Sequence, residues 1–129
     1  MNHSANINHD AVLRARVLLL GSEQPMVRQR VAAYRVLSQV SPLAYLPRLA
    51  VDLIEYSKEF ADQPETALRL RAESVSAARR LCELQRGREA VLVASLTSFR
   101  EKLHSMGRSE ETSEVTEEIA VLEYTLAGR

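Results

Sequence analysis

The sequence repeats one apolar pattern at an interval of 43 to 45 residues, and this period constrains the fold more than any other feature. Residues 52–60 (DLIEYSKEF) align with residues 95–103 (SLTSFREKL) at a shift of 43. Residues 32–37 (AAYRVL) align with residues 76–81 (SAARRL) at a shift of 44, and more loosely with residues 121–126 (VLEYTL), 45 positions further on. A period of this length is typical of solenoids, in which each helix pair buries its apolar face on the next.

The spacing of apolar residues predicts six α-helices joined by short links. Gly and Pro number only four each, which disfavours the many turns of an all-β fold. Because short links place neighbouring helices antiparallel, we expect an all-α single domain of about three antiparallel helix pairs. The predicted pairs cover residues 10–41, 42–86 and 87–127, and residues 1–9 are expected to form a disordered tail. The alternative is a six-helix bundle whose self-similarity is accidental.

Capping residues mark the expected boundaries of the first two helices. Asp10 is placed to cap the first helix, and Gly21 to end it in the left-handed conformation. Ser22 is the expected cap of the second helix, with Pro25 tolerated in its first turn.

Proline and glycine residues set the later boundaries. Pro42 ends the second helix, since the residue before a proline avoids the α region. Pro47 is expected in about the first turn of the third helix, where a missing N–H is tolerated. Gly87 and Gly107 are expected to end the fourth and fifth helices. The third helix carries the clearest apolar stripe, predicted to face the core: Leu46, Leu49, Ala50, Leu53, Tyr56, Ser57 and Phe60.

No residue pattern in the chain predicts catalysis or a cofactor. The single cysteine, Cys82, lies in an apolar run and is predicted to be a small core residue. His3 and His9 are far in sequence from His104, so no compact spacing of metal ligands exists. There is no Gly-rich phosphate loop, and no set of nucleophile, base and orienting acid stands out. We therefore predict a protein that is not an enzyme and holds no metal.

The formal net charge is zero, which disfavours a nucleic-acid binder because such proteins gain affinity from excess positive charge. The charges are segregated, however. Six of the glutamates lie in residues 109–129, while the middle of the chain is rich in arginine. A regulator that contacts nucleic acid remains an alternative hypothesis, but no aromatic residues are interleaved to stack bases. The best basic cluster is Arg79, Arg80, Arg86 and Arg88.

The sequence predicts a cytoplasmic protein with no membrane contact. Its longest apolar run, residues 17–20, is far too short to span a bilayer. Residues 1–10 (MNHSANINHD) lack the basic region followed by an apolar region that marks a signal peptide.

Residues 33–60 (AYRVLSQVSPLAYLPRLAVDLIEYSKEF) resemble the junction between consecutive tetratricopeptide repeats, of the longer, kinesin-light-chain-like type common in actinobacterial signalling proteins. In that family the second helix ends in a Tyr-Arg-x-Leu phrase, here Tyr34 to Leu37. A proline and an Ala-Tyr-Leu-Pro phrase then open the next repeat, here Pro42 and Ala44 to Pro47. Residues 95–111 are similar to the family's turn between helices. The resemblance implies a right-handed α-solenoid whose first pair, residues 10–41, is degenerate.

The resemblance also implies a function. Tetratricopeptide stacks bind a protein or peptide in the groove lined by the first helix of each pair, which makes this chain a non-catalytic adaptor or scaffold. An alternative is self-association as a homodimer through the last helix, where Tyr124 lies off the apolar stripe. Helical geometry places these residues on the groove wall: Val51, Ile54, Glu55, Lys58, Ala61, Ala94, Thr97, Ser98, Glu101 and His104.

Overall fold

The structure, a computed structural model, describes residues 8–21 and 23–128. These residues form six α-helices and one turn of 3₁₀-helix, and they contain no strand, which confirms the all-α prediction. The predicted tail at residues 1–9 lies largely outside the described residues, although Asn8 and His9 belong to the first helix and its cap. The helices are α1 (His9–Leu20), α2 (Val27–Val40), α3 (Pro42–Ser57), α4 (Pro64–Leu84), α5 (Glu89–Ser105) and α6 (Ser109–Ala127), and the 3₁₀ turn is Lys58–Phe60.

The predicted boundaries of α4, α5 and α6, and the predicted break at Pro42, are confirmed to within a few residues, because proline and glycine set them. Pro42 and Pro64 occupy the first positions of α3 and α4, where the missing N–H would have no partner in any case. Gly87 and Gly107 follow α4 and α5 with φ angles of +83° and +71°. A residue with a side chain rarely adopts this left-handed conformation, so glycine ends both helices.

The boundaries predicted for the first two helices were wrong at several points. The cap of α1 is Asn8, whose Oδ1 accepts hydrogen bonds from the N–H groups of Asp10 and Ala11. Gly21 has an extended conformation with φ −61° and ψ 157°, so it ends α1 without a left-handed turn. Ser22 lies outside the described residues, and α2 begins only at Val27, so Pro25 precedes that helix.

The N-terminal end of α2 is capped by the side chain of Gln29, which the sequence does not predict. The Gln29 Oε1 atom accepts a hydrogen bond of 2.9 Å from the N–H of Met26. Pro47 also differs from its prediction, because α3 begins five residues earlier and Pro47 lies in its second turn. The helix continues through the proline, which removes one hydrogen-bond donor from its interior.

Each helix packs on the helices before and after it in sequence. The contact between α3 and α4 is the most extensive, and α3 also touches α5. The buried side chains form three separate clusters along the chain, the first between α1 and α2, the second across α2, α3 and α4, and the third across α4, α5 and α6. Helix α4 contributes side chains to two of these clusters. Leu70, Ala77 and Leu81 belong to the second cluster, and Leu68, Val75 and Ala78 belong to the third.

The predicted core stripe of α3 is largely buried. Leu53 is fully enclosed, and the two aromatic residues of the stripe are half-buried at its C-terminal end. There Tyr56 and Phe60 meet edge to face, with their ring centroids 5.1 Å apart, a favourable geometry for aromatic pairs. Cys82, predicted to be a core residue, is half-buried beside the third cluster.

On the molecular surface, two ion pairs join α4 to α2 and to α6, the helices two positions before and after it. Arg35 of α2 binds Glu73 of α4 through two hydrogen bonds of 2.7 and 2.8 Å. Arg79 of α4 binds Glu118 of α6 through the same bidentate contact of two hydrogen bonds. The two arginines are 44 residues apart and the two glutamates 45, so the repeat in the sequence corresponds to a repeated contact in the structure.

Candidate binding cleft between α3 and α5

An apolar cleft of about 280 Å³ lies between α3 and α5. We call it the α3–α5 cleft. Its walls are formed by small or apolar side chains, of which Val51 is 63% exposed. An exposed apolar surface of this kind is a feature of protein-binding surfaces. The residues that line the cleft are Ala50, Val51 and Ile54 of α3 and Ala90, Val91, Ala94 and Ser95 of α5.

A hydrogen-bonded chain of two serines fixes the floor of the cleft. The Ser74 hydroxyl of α4 donates to the carbonyl of Ala50 at 2.6 Å, and the Ser74 and Ser95 hydroxyls are 2.9 Å apart. Because the single proton of Ser74 goes to Ala50, the Ser95 hydroxyl must donate to the Ser74 oxygen. All three residues are buried. The two hydrogen bonds join α3, α4 and α5, and both run in one direction, from Ser95 to Ser74 and from Ser74 to Ala50.

A second polar contact supports the C-terminal half of the cleft. Arg71 of α4 donates from Nε to the Ser57 hydroxyl at 3.0 Å and from a terminal nitrogen to the Ser98 carbonyl at 2.8 Å. Ser57 in turn donates to the carbonyl of Ile54 at 2.6 Å. Arg71 also lies 3.9 Å from the Glu101 carboxylate. These contacts hold α3 and α5 at a fixed separation on either side of α4.

The structure brings three of the predicted groove residues directly into the cleft: Val51, Ile54 and Ala94. Apart from Thr97 and Ser98, the other five lie near its C-terminal end or beyond it. Glu55 and Lys58 pair with each other at 3.2 Å, and Glu101, Ala61 and His104 are exposed.

Two of the predicted groove residues are committed to contacts within the fold. Thr97 is half-buried, and its hydroxyl donates to the carbonyl of Val93 at 2.7 Å. Ser98 is buried, and its hydroxyl has no hydrogen-bond partner among the described residues. Its backbone carbonyl accepts the hydrogen bond from Arg71.

The cleft continues past Val51 into a second, larger depression of about 510 Å³ between α2 and α3. Arg30 and Asp52 form an ion pair of 3.0 Å on its wall, and this carboxylate raises the pKa of the Arg30 guanidinium. Arg48, at the same end, lies 5.8 Å from the centroid of the Tyr45 ring and is within ion-pairing distance of no carboxylate of residues 8–21 and 23–128. The surface formed by the cleft and this depression is therefore apolar around Val51 and positively charged at the end where Arg48 lies.

Sequence reasoning missed Ala90, Val91, Arg48 and the depression between α2 and α3. Ala90 and Val91 precede Ala94 by four and three residues, so they share its helix face, and extending the predicted stripe by one turn would have included them. Arg48 precedes Val51 by three residues and shares its helix face in the same way, but no sequence pattern indicates that Arg48 lacks a carboxylate partner among residues 8–21 and 23–128.

The four arginines of the predicted basic cluster differ in their exposure and in their ion pairing. Arg79 is occupied by its pair with Glu118. Arg80 and Arg86 are exposed, while Arg88 is half-buried at the N-terminal end of α5. One of the four guanidinium groups is thus engaged by a carboxylate within the fold.

The described residues contain no group of three or more His, Cys, Asp and Glu side chains that could hold a metal ion. Burial raises the pKa of the Cys82 thiol, and the charge of Glu89 raises it further, against the opposing effect of Arg88 and Arg79. The thiolate form is therefore disfavoured at neutral pH, which makes Cys82 a poor nucleophile. None of the helices in the described part of the chain is both long and apolar enough to cross a membrane.

Comparisons with protein-family models, with curated proteins and with solved structures found no match for the chain.

Proposed function

We propose that the chain is a non-catalytic cytoplasmic adaptor that binds a peptide segment of another protein in the α3–α5 cleft. The proposed architecture is a right-handed solenoid of three antiparallel helix pairs, similar to tetratricopeptide repeats. Three features support it: the succession of contacts from helix to helix, the separate core clusters along the chain, and the equivalent ion pairs of Arg35 and Arg79.

The observation that carries the proposal is the exposed apolar cleft between two helices that occupy equivalent positions in the repeat. Val51, Ile54 and Ala94 form its walls, while the buried serine chain below fixes its width. A cleft that is formed before binding lowers the ordering cost of association. Fixed apolar walls are therefore suited to receive the side chains of a peptide.

The charges around the cleft indicate the chemistry of the peptide. Arg48 lies at the end nearest α2 without a carboxylate partner in the described residues, so an acidic side chain there would be favourable. The opposite end carries the exposed Glu101. We therefore propose a ligand with two or more adjacent apolar residues for the cleft and an acidic residue at the end that faces Arg48.

The test is a selection of binding peptides from a displayed random library, followed by calorimetric titration of the best peptide. Substituting Val51→Asp places a charge in the wall of the cleft. Losing the burial of one valine costs at least about 1.5 kcal/mol, so we expect affinity to fall about tenfold or more. Arg48→Glu should weaken peptides that carry the acidic residue and leave apolar peptides unchanged.

Val121→Asp is the matched control, because Val121 is 66% exposed on α6 and Val51 is 63% exposed on α3. It introduces the same charge at similar exposure away from the cleft, and we expect it to bind the peptide as the wild type does. Equal loss in both variants, full binding by Val51→Asp, or no enriched peptide would each contradict the proposal.

A further inference from the structure

Helix α1 is apolar on two opposite faces, and only one of them is covered. Val12 and Ala15 are buried against α2. On the other side Leu13, Val17 and Leu20, spaced by four and three residues, form a stripe that is 62%, 61% and 85% exposed. We call these three residues the α1 stripe. An amphipathic helix needs a single apolar stripe to pack on its neighbour, so the second stripe is available to a further partner.

Helix α6 carries an exposed face of a different composition. Its inner side is buried through Val115 and Ile119. Its outer side presents Val121 and Tyr124, which are 66% and 83% exposed. In the preceding turns the same side carries three exposed glutamates, so that the residues of this α6 face follow one another at helical spacing: Glu110, Glu114, Glu117, Val121 and Tyr124.

The two faces have opposite charges. Arg14 and Arg16 lie on either side of the α1 stripe, and both are exposed with no carboxylate within ion-pairing distance in the described part of the chain. Helix α6 contains six glutamates and no lysine or arginine. Among residues 8–21 and 23–128, only Glu111 and Glu118 of these six are paired, with Arg108 and Arg79, so the three glutamates of the α6 face have no cation partner there and can meet cations of another molecule.

We propose that the α1 stripe of one molecule docks on the α6 face of a second copy of this chain. The apolar residues of the two faces would bury each other, while Arg14 and Arg16 face the glutamates of α6. The contact is heterologous, since it joins two different surfaces, so each copy keeps one free end and assembly continues beyond the dimer. Neither face lines the α3–α5 cleft, so the proposal stands independently of peptide binding.

Sedimentation velocity of the full chain over a wide concentration range tests this association. We expect the sedimentation coefficient to rise continuously with concentration, without a plateau at the dimer. The rise should be smaller in high salt, because the attraction between the arginines and the glutamates is screened. A wild-type chain that stays monomeric at every concentration would overturn the proposal, as would a dimer that grows no further.

Two single substitutions then separate the partner surfaces. Val17→Asp disables the α1 stripe and Val121→Asp disables the α6 face, and both sites are exposed, so the variants should fold as judged by circular dichroism. Each variant alone should be monomeric. Mixed together, they should form a one-to-one dimer, because Val17→Asp retains its α6 face and Val121→Asp retains its α1 stripe.

The mixing experiment also distinguishes a symmetric contact. If α1 paired with α1, Val121→Asp would still dimerise alone and the mixture would form no new species, which would overturn the proposed pairing.

Charge reversal gives a second test that leaves the apolar residues in place. The variant Arg14→Glu/Arg16→Glu should dissociate, and Glu114→Arg/Glu117→Arg should bind it. Val51→Asp, the cleft variant, should self-associate as the wild type does, and its failure to do so would contradict independence from the cleft.

Discussion

Replacing Ser74 with alanine removes the hydroxyl that joins three helices beneath the α3–α5 cleft. Ser74 donates to the Ala50 carbonyl and accepts from Ser95, and its side chain is fully buried. Each buried hydrogen bond contributes roughly 0.5–1.5 kcal/mol. The substitution removes two bonds, so the free energy of unfolding should fall by about 1–3 kcal/mol.

The reciprocal substitution, Ser95→Ala, should cost less. It removes only the bond between the two hydroxyls, and Ser74 keeps its bond to Ala50, so the expected loss is about 0.5–1.5 kcal/mol. Both serines lie inside helices, so the gain in helix propensity from alanine is the same for each and cancels in the comparison.

The double variant Ser74→Ala/Ser95→Ala gives the sharpest test. It loses the same two bonds as Ser74→Ala, and it no longer leaves the Ser95 hydroxyl without its acceptor. It should therefore be at least as stable as Ser74→Ala alone, so that the two single effects do not add.

Urea unfolding followed by circular dichroism measures all three variants. The comparison holds when the dependence of the unfolding free energy on urea is unchanged, because the same surface is then exposed in each case. A larger loss for Ser95→Ala than for Ser74→Ala, or strictly additive losses, would refute the assigned polarity of the hydrogen bonds.

Two further predictions concern the turns and the cysteine. Gly87→Ala should destabilise the protein by about 1 kcal/mol, because Gly87 has φ +83°. Gly128→Ala, where φ is −80°, should have almost no effect in the same thermal unfolding experiment, and equal effects would contradict this account. Labelling of Cys82 by iodoacetamide should accelerate at a higher pH in the folded chain than in the urea-unfolded chain, because burial raises its pKa. Coincident pH profiles would show that the thiol is not shielded.

The sequence predicted α4 to α6 well because their ends depend on local chemistry, whereas it placed the start of α3 too close to Pro47. Pro42, Pro64, Gly87 and Gly107 restrict the backbone in ways that the surrounding fold cannot override. The link between α1 and α2 contains two possible start signals for α2, the capping residue Ser22 and Pro25. The sequence favours a start at Ser22, yet the helix begins at Val27, after Pro25.

The candidate cleft was predicted only in part, because its geometry depends on how the helices are rotated against each other. Helical spacing assigned Val51, Ile54, Ala94 and Ser98 alike to one surface, whereas in the structure the first three line the cleft and Ser98 is buried. The pairing of Ser74 with Ser95 joins residues 21 positions apart on different helices, and no local pattern indicates it. The peptide partner itself stays a prediction.

The succession of contacts from each helix to the next has a kinetic consequence. Contacts between residues close in sequence form quickly, so chains of low contact order fold in milliseconds or less. We therefore expect the pair α3 and α4, which shares the most extensive contact, to form first, and the neighbouring helices to add on either side. Helix α1 packs chiefly on α2, so it should join last and detach first. Protection from hydrogen exchange should therefore decline from the middle of the chain towards α1.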